Sequence, residues 1–223
     1  MNYYEKVADF IVSKINHILE QKGGVSLCLS GGNTPKHIYE QLVKKYSTFK
    51  GWDKTEFYFG DERVVPYSSE FNNFKNAEEF LFKPLNLNYE RVFKVELGEE
   101  HASHYARNYE KMIVGRGLDG GFDIIILGMG SDLHTASIFP GNKEALYGDR
   151  LFVNTSIPPL MPRVERITIS MPFINRSENI IMVAKGADKK KAFDYISDKK
   201  IKNDDRFPVS FLAKEKTTFL IEN

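Results

Sequence analysis

The chain has 223 residues, of which 42% are hydrophobic and 27% charged, and its formal net charge is +1. This length supports one hydrophobic core, so we expect a single domain over residues 1–223. The balanced charge gives no overall field for nucleic acid or an acidic membrane, and neither is an expected partner. No apolar run approaches the roughly 20 residues of a membrane span. Cys28 is the only cysteine, so no internal disulfide can form, which suits a reducing cytoplasm.

The spacing of hydrophobic residues predicts elements along the whole chain. Apolar residues at helical spacing predict a first helix that begins near Tyr4 and stops at Gly23 and Gly24. Thr34 suits the N-cap of the second helix and Pro35 its first turn. Further helices are predicted over 35–46, 73–82, 101–115 and 187–197. Strands are predicted over 25–29, 55–60, 122–127, 166–170, 179–184 and 217–221.

Strands that alternate with helices indicate an α/β fold. The run Ile124 to Leu127 is continuously apolar, as expected for a strand covered on both faces. We therefore predict a mainly parallel sheet with helices on both faces, a Rossmann-like architecture. Ligands of such sheets bind beyond the carboxyl ends of the strands.

The first candidate site follows the strand over 25–29. Two adjacent glycines let the backbone approach an anion closely, and the next helix offers unpaired N–H groups at its N-terminus. A plain strand-to-helix turn would give the same pattern. The loop lacks the lysine of a Walker A motif and the spacing of a dinucleotide loop. The candidate residues for phosphate are Gly31, Gly32, Asn33 and Thr34.

Two further candidate sites follow later strands. Arg63 ends the run Asp61-Glu62-Arg63 and could pair with a phosphate or carboxylate through its planar guanidinium. Asp132 and His134 lie in a glycine-framed loop after the buried strand. Histidine can accept a proton near neutral pH, and a nearby carboxylate can fix its tautomer. Each site also has a purely structural interpretation. Asp61-Glu62-Arg63 could form a surface ion-pair turn, and Asp132 could cap a helix beside a bystander histidine.

Two cations further along the chain could also meet a phosphate. Arg166 opens a predicted strand, and Lys189 lies at the start of the last helix. Taken singly, each is more typical of solvated surface charge. The remaining histidines lie on helix faces or at helix starts and are interpreted as bystanders.

Together these segments resemble the 6-phosphogluconolactonase family of the glucosamine-6-phosphate isomerase/lactonase superfamily. The resemblance rests on five blocks in family order, which are residues 30–35, 60–66, 128–141, 166–168 and 186–189. It implies the NagB/RpiA/CoA-transferase-like fold and hydrolysis of 6-phospho-D-glucono-1,5-lactone to 6-phosphogluconate in the pentose phosphate pathway, without metal or cofactor. We then expect a small-molecule phosphosugar lactone as the partner, and a cytoplasmic monomer or weak homodimer.

The resemblance also assigns roles to the candidate residues. His134 matches the general base that activates water, Asp132 the acid that orients it, and Arg63 a contact to substrate or the developing oxyanion. The phosphate-binding set then consists of Gly31, Gly32, Asn33, Thr34, Arg166 and Lys189.

The chain departs from the family pattern at two places. The usual Asp-Gly-His is here Asp132-Leu133-His134. If that glycine adopts a positive φ, Leu133 must strain or reshape the loop, at a cost on the order of 1 kcal/mol or more. The usual Ser-Asn after the Asp-Glu-Arg block is here Asn72-Asn73, which could alter a substrate contact.

Two alternative functions stay open at this point. One is a glucosamine-6-phosphate isomerase/deaminase, whose histidine loop has the pattern His-Ile-Ala-Phe-Asn, whereas residues 134–140 follow the lactonase pattern. The other is a sugar-phosphate-binding protein with a weakened active site, an interpretation motivated by Leu133.

Overall fold

The structure is a computed structural model that describes residues 1–98, 101–155, 157–158 and 161–223. The helices are α1 (Tyr3–Lys22), α2 (Asn33–Tyr46), α3 (Asn73–Ala77), α4 (Ala102–Gly115), α5 (Lys143–Tyr147), α6 (Met171–Ile174) and α7 (Ala187–Asp198). The strands are β1 (Val25–Leu29), β2 (Thr55–Phe59), β3 (Asp61–Arg63), β4 (Ile124–Gly128), β5 (Phe152–Thr155), β6 (Arg166–Ile169), β7 (Asn179–Lys185) and β8 (Thr217–Glu222). Within these residues no helix is both long and apolar enough to cross a membrane.

Five strands form a parallel sheet in the order β2-β1-β4-β7-β8. Alternate residues of each strand face opposite sides, as the pleat requires. Leu27 and Ile126 pack with the apolar faces of α1 and α2, whereas Cys28 and Ile125 pack with residues of α4 and α7. The predicted mainly parallel sheet with helices on both faces is therefore confirmed. Cys28 is fully buried, and burial raises the pKa of its thiol.

A second sheet was not predicted. It has three antiparallel strands in the order β3-β6-β5 and packs on the α4 side of the main sheet. The strand predicted over 166–170 belongs here and not to the parallel sheet. A short, fully buried apolar run looks the same in either kind of sheet, and the charged run of β3 carries no strand signal.

Gly60 connects the two sheets. It is the only residue between β2 and β3, its N–H donates to the Leu29 carbonyl of the parallel sheet (3.0 Å), and its carbonyl accepts from the Ile169 N–H of the small sheet (2.7 Å). One residue therefore fixes where the end of β1 lies relative to β3 and β6.

The start of α2 and the end of α3 differ from the predictions. Thr34 is not the N-cap of α2, because the cap is Gly32 at φ 101°, which makes no side-chain hydrogen bond. The predicted helix over 73–82 is α-helical only to Ala77 and continues as a π-helical turn over Glu78–Phe82. A glycine with positive φ reaches a chain reversal that threonine does not favour, so the helix begins two residues earlier than a Thr34 cap would place it.

Candidate active site

The predicted site residues converge on one cleft of about 170 Å³. It lies beyond the carboxyl ends of β1 and β4, where β3 and β6 close it from the side. Its lining contains the predicted residues Gly31, Gly32, Asn33, Thr34, Arg63, His134, Arg166 and Lys189. Asp132 lies behind the histidine and is the one predicted residue outside the lining. A larger cleft of about 410 Å³ around Tyr67 and Lys94 gathers none of them.

The loop after β1 presents backbone to the cleft. Gly32, at φ 101°, reverses the chain so that α2 begins at Asn33 with its first N–H groups unpaired by capping side chains. A Cβ on Gly31 would lie 1.9 Å from the Asn73 Oδ1 atom, so only glycine allows this close approach. The N-terminus of a helix carries a partial positive charge. The loop thus has the features of an anion site.

Two arginines lie side by side at the wall formed by the small sheet. Arg63 and Arg166 are directly opposite each other in the β3–β6 pair, an arrangement that is destabilising for like charges without a counter-charge. Their side chains are largely buried, and neither Nε atom has a hydrogen-bond partner among the described residues. Burial, and second the charge of Arg63, lower the pKa of the Arg166 guanidinium. An anion bound between them would satisfy both groups.

Lys189 is a third cation of the cleft. It lies in the first turn of α7, after Gly186 at φ 130°, and burial lowers the pKa of its half-buried amine. Its neighbour Lys190 pairs with Asp194, and Lys191 is exposed. Lys189, which taken singly is more typical of solvated surface charge, therefore lies half-buried in the cleft lining instead.

Asp132 and His134 form a hydrogen-bonded pair after β4. The Asp132 Oδ1 atom lies 2.5 Å from His134 Nδ1 and also accepts the His134 backbone N–H at 3.2 Å. Although burial opposes it, hydrogen bonding to the histidine lowers the pKa of the Asp132 carboxyl. The other ring nitrogen, Nε2, makes no hydrogen bond to the described part of the chain. A carboxylate that occupies Nδ1 leaves Nε2 as the atom available to accept a proton.

Leu133, between these two residues, adopts φ 63°. This is the left-handed conformation that would suit the glycine of the usual Asp-Gly-His pattern. Its side chain is only 2% exposed and belongs to the core on the α4 side. The loop therefore keeps the conformation that glycine would favour, with a buried leucine in its place.

Sequence reasoning missed a buried polar network beneath the arginines. The Asp61 carboxylate accepts from Ser137 Oγ at 2.7 Å and from Asn73 Nδ2 at 3.1 Å, and it lies 4.0 Å from Arg63 Nε. Asp61 lies in the run Asp61-Glu62-Arg63, and consecutive charges at the end of a strand are typical of a solvent-exposed turn. Its hydrogen-bonding partners come from distant segments, so the sequence alone does not show this network.

Glu62 fixes the other side of β3. Its carboxylate accepts the backbone N–H groups of Arg63, Asn73 and Phe74 at 2.7–2.9 Å. Burial raises the pKa of Glu62 to about 7 despite these bonds. This contact fastens the start of α3, and with it the Asn73 side chain, to the arginine-bearing strand.

Phe139 lies against both His134 and Arg166. Its ring centroid lies 4.8 Å from that of His134 and 5.3 Å from the Arg166 guanidinium carbon. The aromatic ring limits the positions that both side chains can take. Among the described residues, no group of three or more His, Cys, Asp or Glu side chains could hold a metal ion.

Comparison with known proteins identifies the family. The model of the glucosamine-6-phosphate isomerases/6-phosphogluconolactonase family matches residues 2–220. The 6-phosphogluconolactonase of Thermotoga maritima is 32% identical over 225 residues, which cover 98% of this chain and 94% of that protein. That of Chlamydia pneumoniae is 27% identical over 206 residues, which cover 92% of this chain and 78% of that protein. The chain therefore belongs to the glucosamine-6-phosphate isomerase/6-phosphogluconolactonase family.

Solved structures agree with this assignment. The crystal structure of the T. maritima 6-phosphogluconolactonase superposes with a TM-score of 0.88 at 31% identity and covers 100% of this chain and 96% of that one. The 6-phosphogluconolactonase of Trypanosoma cruzi gives a TM-score of 0.84 at 28% identity, with 99% and 90% covered. The α/β fold predicted from the sequence is thus also the fold of these enzymes.

Proposed function

We propose that this chain is a lactone hydrolase that converts 6-phospho-D-glucono-1,5-lactone to 6-phosphogluconate, a step of the pentose phosphate pathway. The relatives and structures named above all bear the name 6-phosphogluconolactonase, which supports the lactonase interpretation over the isomerase one. The observation that carries the proposal is the single cleft in which three cations face a hydrogen-bonded aspartate–histidine pair.

The two ends of the substrate are proposed to occupy separate parts of the cleft. The phosphate is proposed to bind at the glycine loop, where the first N–H groups of α2 and Lys189 are available. Arg166 and Arg63 complete the cationic wall. Fixed phosphate contacts place the ring relative to the histidine, and positioning of this kind contributes several kcal/mol to lowering a barrier.

His134 is proposed to act as the general base. Its Nε2 atom takes a proton from a water molecule as the water oxygen bonds to the lactone carbonyl carbon, and Asp132 stabilises the imidazolium that forms. The carbonyl oxygen becomes an oxyanion, for which Arg63 is the proposed partner. The bond between the carbonyl carbon and the ring oxygen then breaks, and the ring oxygen takes the proton from the imidazolium. The product is the open-chain acid, and no group is left on the enzyme.

The test is to generate the lactone in situ and follow its disappearance, with spontaneous hydrolysis subtracted. The parent, a His134→Ala variant and a His17→Ala variant are compared, since His17 is exposed on α1, away from the cleft. We expect acceleration by the parent and the His17 variant and its loss in the folded His134 variant. Acceleration that survives in His134→Ala would contradict the role of the histidine.

A folded parent that gives no acceleration would contradict the lactonase function itself. Turnover of glucosamine 6-phosphate would then point to the isomerase/deaminase alternative. Saturable binding of 6-phosphogluconate without any turnover would point to a sugar-phosphate-binding protein.

A single domain over residues 1–223, a monomeric or weakly dimeric state, a cytoplasmic location and the absence of nucleic-acid and membrane partners stay proposals from the sequence. Sedimentation velocity across a range of protein concentrations would test the oligomeric state.

A further inference from the structure

The backbone at Leu133 has a conformation that leucine rarely adopts. Its φ of 63° lies in the left-handed region, where a Cβ atom crowds the following carbonyl group. Such a residue persists only where its surroundings over-determine it. Leu133 therefore needs contacts that hold it in place.

Those contacts come from the loop and from a distant segment. The Leu133 N–H donates to the Gly130 carbonyl at 3.1 Å, and its carbonyl accepts from the Val209 N–H at 3.1 Å. Val209 belongs to the 3-10 segment Pro208–Phe211 and is buried in the same core as the Leu133 side chain. Backbone and side chain thus tie the loop to the C-terminal part of the chain.

The same turn fixes the aspartate–histidine pair. The Gly130 N–H donates to the His134 carbonyl at 3.0 Å, so residues 130–134 form a closed turn around Leu133. A Cβ on Gly130 would lie 2.3 Å from the His134 ring and 2.5 Å from the Asp132 carboxylate. The pair therefore lies directly over Gly130, whereas the Leu133 side chain is buried in the core.

We propose that Leu133 is a positioning residue, whose buried side chain anchors the loop so that Asp132 and His134 keep the geometry required for proton transfer. This inference rests on the proposed lactonase function. It predicts a defect in the rate of the chemical step and not in substrate binding, because the groups proposed to hold the phosphate lie on other elements.

Four variants separate anchoring from backbone strain. Leu133→Met keeps a side chain of similar volume, Leu133→Ala removes the anchor and keeps the strain, and Leu133→Gly removes both. Lys200→Gly is the matched control, because Lys200 has nearly the same φ of 53° but an exposed side chain. For the Ala and Gly variants we expect kcat to fall by about ten- to a hundredfold with KM within about twofold of the parent. The Met variant and the Lys200 control should retain parental kcat.

Several outcomes would overturn the proposal. Parental or higher kcat in Leu133→Gly would mean that the leucine is not an anchor. A loss in Leu133→Ala alone would assign the effect to backbone strain, and equal losses in kcat and affinity would indicate general damage to the cleft. If the Gly variant does not fold, Val209→Ala loosens the core that holds both side chains, and parental kcat in that folded variant would count against the anchor.

A second measurement does not depend on turnover. Amide hydrogen exchange of peptides that cover residues 129–137 should accelerate in Leu133→Ala and Leu133→Gly but not in Leu133→Met, in the absence of any ligand. Unchanged exchange in the truncated variants would overturn the inference. If the parent hydrolyses no lactone but the exchange results are as expected, the proposed function fails while the anchoring of the loop stands.

Discussion

The conformation of Leu133 reverses the usual order of stability between alanine and glycine variants. Leu133→Ala removes a side chain that is 2% exposed, and truncations of this kind cost about 2–5 kcal/mol. Leu133→Gly loses the same contacts but recovers about 1–2 kcal/mol of left-handed backbone strain. Against this recovery stands an unfolded-state entropy cost of about 0.5–1 kcal/mol. The expected order of decreasing stability is parent, then glycine, then alanine, with the two variants separated by up to about 1.5 kcal/mol.

Urea denaturation of the three proteins at one pH checks this order. The free energies of unfolding are compared at equal slopes, so that changes in the unfolded state are recognised. Lys200→Gly is again the control, since φ is 53° there and the side chain is exposed. It should be at least as stable as the parent. An alanine variant as stable as the parent would show that burial of Leu133 contributes nothing, and one more stable than glycine would refute the strain argument.

Three further changes have defined outcomes. Asp132→Asn should lower kcat by about a hundredfold or more with little change in KM, because the amide cannot stabilise the imidazolium of His134. Parental kcat in a steady-state assay would contradict this role of the Asp132–His134 pair. Lys189→Met should raise KM, and it should also raise the melting temperature measured without ligand, because burial lowers the pKa of this amine and the described residues place no carboxylate against it. Burial raises the pKa of Glu62 to about 7, so its stabilising contribution is fully present below about pH 4.5 and is lost as pH rises through 7. The stability of the parent relative to Glu62→Gln should therefore fall by up to about 3 kcal/mol over this interval, and an offset that stays constant in urea titrations across it would refute this.

The sequence predicted those parts of the fold that depend on local pattern. The helix ending at Gly23 and the buried strand through Ile124 follow from periodicity and composition. For position 133 the glycine pattern left two outcomes open, a strained leucine or a reshaped loop, and the structure shows the left-handed backbone. β3 has only three residues, all of them charged, and its pairing with β6 depends on contacts between segments about a hundred residues apart. No local signal encodes such pairing.

The site shows the same division. The strand-end rule was enough to select His134, Arg63 and the glycine loop as candidates for one cleft. It could not show that Asp61 is buried beneath Arg63 or that Lys189 turns into the cleft. Burial of a charged side chain depends on what other segments place around it, and a single sequence does not contain that information directly.

Gly60 gives the cleft a fixed span. The glycine loop follows one sheet, the arginines belong to the other, and both backbone groups of Gly60 are used in holding the two sheets together. The distance between the glycine loop and the arginines is therefore set by the hydrogen bonds of a single residue. Side-chain exchanges at the rim can change which groups line this gap, but adapting it to a molecule of different length would require rebuilding the joint between the sheets.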